Sequence, residues 1–153
     1  MSAPLTIRSA RPGDETVLFE LIQELARFEH LTHVVTGSAS DLARDLFGER
    51  PAAEALLAER DGQALGFALF FGTYSTFLTR PGLYLEDLYV RESERGGGIG
   101  KALLQRVIEL ARERGAGRLE WSVLDWNANA IAFYEKMGAT VLPDWRICRV
   151  TFG

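Results

Sequence analysis

Four glycines fall between Arg95 and Lys101, in the run Arg95-Gly96-Gly97-Gly98-Ile99-Gly100-Lys101. The stretch before it, Leu83 to Val90, is rich in β-formers and reads as a strand, although Glu86 and Asp87 stand in its middle. The stretch after it places Leu103, Leu104, Val107, Ile108 and Ala111 at helical spacing, and Gly115 marks a stop. A glycine loop between a strand and a helix is a demanding arrangement. Glycine admits positive φ and leaves no side chain between backbone and ligand. The helix start adds unpaired N–H groups and the positive end of its dipole, and together these form a cradle for an anion such as a pyrophosphate. The run is not a Walker loop, because Gly-x-x-x-x-Gly-Lys-Ser/Thr is not satisfied. Nor is it a dinucleotide fingerprint, since no Gly-x-Gly-x-x-Gly follows an early strand. The plainer alternative is a flexible loop with a glycine-rich helix start.

The rest of the chain surrounds this loop with mixed elements. Leu5 to Arg8 reads as a short strand. Pro12-Gly13-Asp14 then opens a helix carrying Val17, Leu18, Leu21, Ile22, Leu25 and Phe28 on one face. Ser38-Ala-Ser-Asp41 has the form of a capping box before a second helix that Gly48 and Pro51 close. Ala55–Ala58 and Ala64–Thr73 flank Asp61-Gly62, a hairpin signal, and 74–82 reads as a loop. Strands are expected at Leu119–Leu124 and Trp145–Phe152, with one more short strand near Thr140–Leu142, and a helix at Ala128–Met137 ended by Gly138. Interleaving of this kind implies an α/β sheet with both hairpins and crossovers.

Length and charge narrow the function. The 153 residues suit one domain. A net charge of −4 argues against a nucleic-acid partner, which needs concentrated Lys and Arg. The chain starts without an apolar signal core, and the longest apolar stretch, Ala64 to Phe71, is too short to span a bilayer. The lone Cys148 forms no internal disulfide and reads as a small buried residue; this suits a reducing cytoplasm. His30 and His33 lie three apart without a ligand set around them, so no metal is expected.

Arg95-Gly-Gly-Gly-Ile-Gly100 resembles the pyrophosphate motif of the GNAT acetyltransferases, and Asn127-x-x-Ala130-x-x-Phe133-Tyr134-x-x-x-Gly138 resembles a downstream motif of the same family. Phe28-Glu29, Phe47-Gly48-Glu49-x-Pro51, Tyr84-Leu-Glu-Asp-Leu-Tyr-Val90 and Val123-Leu-Asp-Trp-Asn127 are similar to the diamine and thialysine N-acetyltransferase branch. The resemblance covers nearly the whole chain. It implies one GNAT domain over 1–153, with a mixed, mostly antiparallel sheet of six to seven strands and about four helices. It also implies acetyl-CoA as co-substrate, a small amine as acceptor, and a homodimer.

Carried onto this sequence, the family pattern assigns Arg95, Gly96, Gly97, Gly98, Ile99, Gly100 and Lys101 to the pyrophosphate. It assigns Leu88, Tyr89 and Val90 to the strand that pairs with the pantetheine arm, and Asn127 to a hydrogen bond with the same arm. Phe28, Glu29, Glu86 and Asp87 fall on the acceptor side. Acetyl transfer needs a neutral amine, donors for the carbonyl oxygen, and a proton for the departing thiolate. Tyr134 is the candidate proton donor, because a phenol near pKa ~10 and a thiol near ~8.5 share protons readily. Glu86 is the candidate base, directly or through a water, and Asp87 leaves the strand on the opposite face in a supporting role. The structural alternatives are a packing aromatic for Tyr134, a surface acid for Glu86 and a helix cap for Asn127.

The leading expectation is acetylation of a lysine-like or thialysine-like amine by direct attack in a ternary complex. A diamine or polyamine acceptor is the runner-up, weakened because His30-Leu31-Thr32-His33 stands where a long polycation would want further acids. Protein acetylation and acetyl-CoA binding without turnover are the remaining readings. Both Glu86 and Tyr134 argue against the last.

Overall fold

The computed structural model describes residues 3–153, which form two compact units, the first reaching Trp121 and the second running Ser122–Gly153. The first unit contains strands β1 (Thr6–Ser9), β2 (Glu54–Arg60), β3 (Gln63–Ser75), β4 (Arg80–Val90) and β5 (Leu119–Glu120), with helices α1 (Glu15–Phe28), α2 (Ala39–Phe47) and α3 (Ile99–Glu113). The second contains α4 (Ala128–Lys136). The sheet runs β1-β2-β3-β4-β5. The first four strands are antiparallel, and β5 joins β4 in parallel after the α3 crossover.

The expected signals act locally. Ser38 Oγ accepts from Asp41 N at 3.1 Å and caps α2. Asp61 and Gly62 take φ values of 54° and 73°, the pair of positive angles that a type I′ hairpin turn requires. The guanidinium of Arg8 forks onto Asp14 and Glu59, which ties β1 to the start of α1 and to β2. It also holds the Asp14 carboxyl below its usual range.

α1 and α2 cover one face of the sheet. Leu18, Leu21 and Leu46 meet Ala55, Leu57, Phe67, Leu69 and Tyr89 in one apolar cluster. On α3, Ile99, Leu103, Leu104, Val107 and Ala111 are buried, and the helix packs on β2, β3 and β4. Beneath it Gly66 lets β3 lie close to β4, because a Cβ there would stand 2.5 Å from the Tyr89 carbonyl oxygen.

Among the described residues the strand count is five rather than six to seven. The expected strand Leu119–Leu124 shrinks to Leu119–Glu120, and no strand forms at 140–142 or 145–152. A strand needs a neighbour for its backbone groups, and the second unit holds no other strand. Cys148, in that segment, is exposed rather than buried. The expected loop 74–82 is mostly strand, because β3 and β4 continue pairing to Ser75↔Arg80. Ser75 Oγ then accepts from Leu78 N, and Arg80 donates to the Gly115 carbonyl at 3.0 Å.

Candidate active site

β4 holds the acid pair at an irregularity. Leu85 pairs with Phe70 and Asp87 pairs with Leu69, so Glu86 is an extra residue without a partner across the ladder. A bulge of this kind re-aims neighbouring side chains. Glu86 is exposed, whereas Asp87 turns half-buried toward the face carrying Phe67, Leu69 and Tyr89. Burial pushes the Asp87 carboxyl up to about 7, and the negative charges of Glu86 and Glu29 add to the push. Glu29, at the C-terminal cap of α1, is itself raised by burial. Glu29, Glu86 and Asp87, far apart or adjacent in sequence, therefore share one electrostatic neighbourhood that favours an incoming cation.

The edge of β4 is partly open. Its pairing with β5 is confined to Leu83↔Leu119 and Tyr84↔Glu120. Among the described residues of the first unit no strand pairs with that edge from Leu85 to Val90, and this length includes Leu88, Tyr89 and Val90. It leads through Arg91 and a 3₁₀ turn at Glu92–Glu94 into the glycine loop.

The loop has the geometry of an anion cradle. Gly96 and Gly98 take φ of 88° and 83°. A Cβ on either would meet no atom within 4 Å, so the backbone angle and not crowding calls for glycine. Gly98 is the N-cap of α3, and the first helical bond runs from Ala102 N to Gly98 O. The amides of Ile99, Gly100 and Lys101 therefore precede the helical ladder. The first turn carries no acid. Buried Ile99 anchors it, while Lys101 is exposed. These residues fit a diphosphate.

Tyr89 and Arg95 have partners that spacing did not reveal. Tyr89 Oη donates to Glu24 Oε1 at 3.1 Å, and Arg91 Nη1 donates to Glu24 Oε2 at 2.9 Å. Glu24 lies 65 residues from Tyr89 in the chain, and nothing local in the sequence marks it. The Arg95 guanidinium carbon lies 4.6 Å from the Phe28 ring centroid and 5.6 Å from that of Tyr89. Phe28, Tyr89 and Arg95, all singled out in the sequence, thus meet in the first unit.

In the second unit, Asn127 and Tyr134 both belong to α4. Asn127 caps it, its Oδ1 accepting from Ala130 N at 3.2 Å. Tyr134 packs ring to ring with Phe133 at 5.4 Å, and its carbonyl accepts from Ala139 N beyond the helix end. Gly138 takes φ of 99° there.

Among the described residues no group of three or more His, Cys, Asp or Glu is disposed to hold a metal ion. Among the described residues no helix is long and apolar enough to cross a membrane.

The mixed sheet and the glycine cradle have the form that the acetyltransferase resemblance implies, and comparison with known proteins agrees. The Acetyltransferase (GNAT) family matches residues 19–139, and the chain belongs to that family. It is an acyltransferase enzyme of the diamine and thialysine N-acetyltransferase branch. The L-ornithine N5-acetyltransferase of Arabidopsis thaliana is 37% identical, over 95% of this chain and 83% of its own length. The thialysine N-epsilon-acetyltransferase of Mus musculus is also 37% identical, over 93% of this chain and 88% of its own. An integron cassette protein from the mobile metagenome of V. cholerae superposes with a TM-score of 0.81 at 26% identity, covering 99% of this chain and 94% of that one.

Proposed function

We propose that residues 1–153 act as a single acetyltransferase domain that moves an acetyl group from acetyl-CoA to the terminal primary amine of a small lysine-like or thialysine-like amino acid. The observation that carries this reading is the open β4 edge, which runs from the Glu86–Asp87 pair to the glycine loop. One strand thereby arranges the acceptor acids, the groove for a pantetheine arm and the diphosphate cradle in series. The relatives named for L-ornithine and thialysine support an amino acid with a side-chain amine.

In this mechanism the loop from Arg95 to Lys101 takes the pyrophosphate on its backbone amides. Leu88, Tyr89 and Val90 offer backbone groups to the arm, and a backbone N–H there supports the developing oxyanion. The Asn127 cap uses Oδ1, so its amide nitrogen is the part that serves the arm. Phe28, Glu29 and Asp87 receive the cationic acceptor. Glu86 takes a proton from the ammonium, directly or through a water. The amine nitrogen then attacks the thioester carbon, the C–N bond forms, the C–S bond breaks, and Tyr134 gives its proton to the thiolate. The second proton, shed by the new amide nitrogen, passes through water to restore Tyr134, and Glu86 releases the first to solvent. The branch resemblance supports a homodimer, and a single cysteine suits the cytoplasm.

The three carboxylates favour one second reading, a short diamine acceptor, since a second ammonium would find a second acid. The test is CoA thiol release with thialysine, L-ornithine, lysine, 1,4-diaminobutane, spermidine and lysine peptides. Turnover confined to the amino acids supports the proposal. Preference for the diamines or peptides moves the assignment there, and acetyl-CoA binding without turnover on any amine overturns it.

A further inference from the structure

Arg95 opens the glycine loop, yet its side chain points away from the cradle's glycines toward α1. Its Nε donates to the Val90 carbonyl at 3.1 Å. Its guanidinium lies over the rings of both Phe28 and Tyr89, within the range of a cation–π contact. Phe28 is the last residue of α1, Glu29 is its cap, and His30 follows at φ 60°, an angle that non-glycine residues seldom take. This end carries an acceptor-side acid, and Leu31 N donates to the Ala26 carbonyl at 2.8 Å to close it. Phe28 is 40% exposed and stands outside the apolar cluster that fixes the rest of α1. Tyr89 in turn is held by Glu24 of α1, two residues along β4 from Asp87.

We infer that Arg95 is a positioning residue that couples occupancy of the glycine loop to the placement of the acceptor end of α1, so that CoA and the amine bind with positive cooperativity. This rests on the functional reading above, in which the loop takes CoA and Glu29 faces the amine. An anion in the loop immobilises the backbone from Arg95 through Gly98. That fixes the guanidinium against Phe28 and presets Glu29. The amine then meets Glu29 already in place, and by linkage the amine tightens CoA to the same degree.

The experiment measures by calorimetry the affinity of whichever probe amine turns over, with and without saturating CoA. The proteins are wild type, Arg95→Met, Phe28→Leu, Phe28→Tyr and the Arg95→Met/Phe28→Leu double variant, each checked for folding by circular dichroism. Wild type is expected to bind the amine about fivefold or more tightly with CoA present, the lower range of common couplings. That factor should fall to within about twofold of unity in Arg95→Met and in Phe28→Leu, with no further loss in the double variant. Phe28→Tyr, which keeps the ring, should retain it. The Phe28 pair carries the test by itself if Arg95→Met does not fold. Coupling that survives both single substitutions overturns the inference, as does a wild type that turns over but shows no coupling. A protein that binds no CoA at all overturns the functional reading, and this inference with it.

Discussion

Asp87 stands opposite Leu69 in the β3–β4 ladder, a carboxyl group set in a row with Tyr89 and Phe67 of the apolar cluster. In the unfolded chain such a carboxyl ionises near pH ~4, whereas in the fold burial and two acidic neighbours hold it protonated up to about 7. Between those values the folded state binds more protons than the unfolded one. Stability therefore falls as pH rises through that window. Replacing Asp87 by Asn removes the ionisation. The melting temperature of Asp87→Asn should gain on wild type from pH 4.5 to 7.5 and stay level beyond. A constant offset across the range would contradict the environment assigned to this side chain.

A bound ammonium reverses that environment. An opposite charge beside Asp87 stabilises its ionised form and draws its pKa down. Binding of the acceptor near pH 6.5 should then release a proton. Calorimetry in buffers of different ionisation heat reads this directly, and Asp87→Asn should lose the release. If wild type takes up protons instead, the cation does not sit beside Asp87.

Tyr134→Phe and Glu86→Gln separate the two proton transfers. Each should lower kcat by about 100-fold or more, the lower range for general acid–base groups, with CoA affinity changed by less than about threefold. The Glu86→Gln defect should shrink toward high pH, where the amine is already neutral near its pKa of ~10.4. A Tyr134→Phe variant as fast as wild type removes the proton-donor role.

Gly66 offers a test of packing under the site. Its added Cβ would meet the Tyr89 carbonyl oxygen at 2.5 Å, Val90 Cα at 3.2 Å and Leu103 Cδ1 at 3.4 Å. Overpacking of this kind costs about 1–3 kcal/mol, and in a chain of this length each kcal/mol lowers Tm by roughly 2–4 °C. Gly66→Ala should melt correspondingly lower and bind CoA more weakly, since Tyr89 and Val90 must shift. Gly72→Ala, where a Cβ meets nothing within 4 Å, should melt like wild type.

Much of this protein is written locally. The periodic faces of α1 and α3, the Ser38 cap, the Asp61-Gly62 turn and the glycine cradle each depend on residues a few positions apart, and short-range sterics and hydrogen bonding are enough to specify them. The family motifs at 95–100 and 127–138 are equally local, which is why the acetyltransferase class is legible from residue order. Other features arise only when distant segments meet. No spacing rule announces that the β3–β4 register slips at Glu86, because the slip is a compromise between two strands. The environment of Asp87 depends on Glu29 arriving from α1, and the hold on Tyr89 depends on Glu24, 65 residues away. The stacking of Arg95 on Phe28 joins the cradle to the acceptor side through space alone. The number of strands is decided the same way, since a segment with strand-like residues becomes a strand only where a neighbour satisfies its backbone. Residue order determined the elements and the chemistry available to them, while burial and charge across the assembled sheet decided which carboxylate is ionised and what holds it.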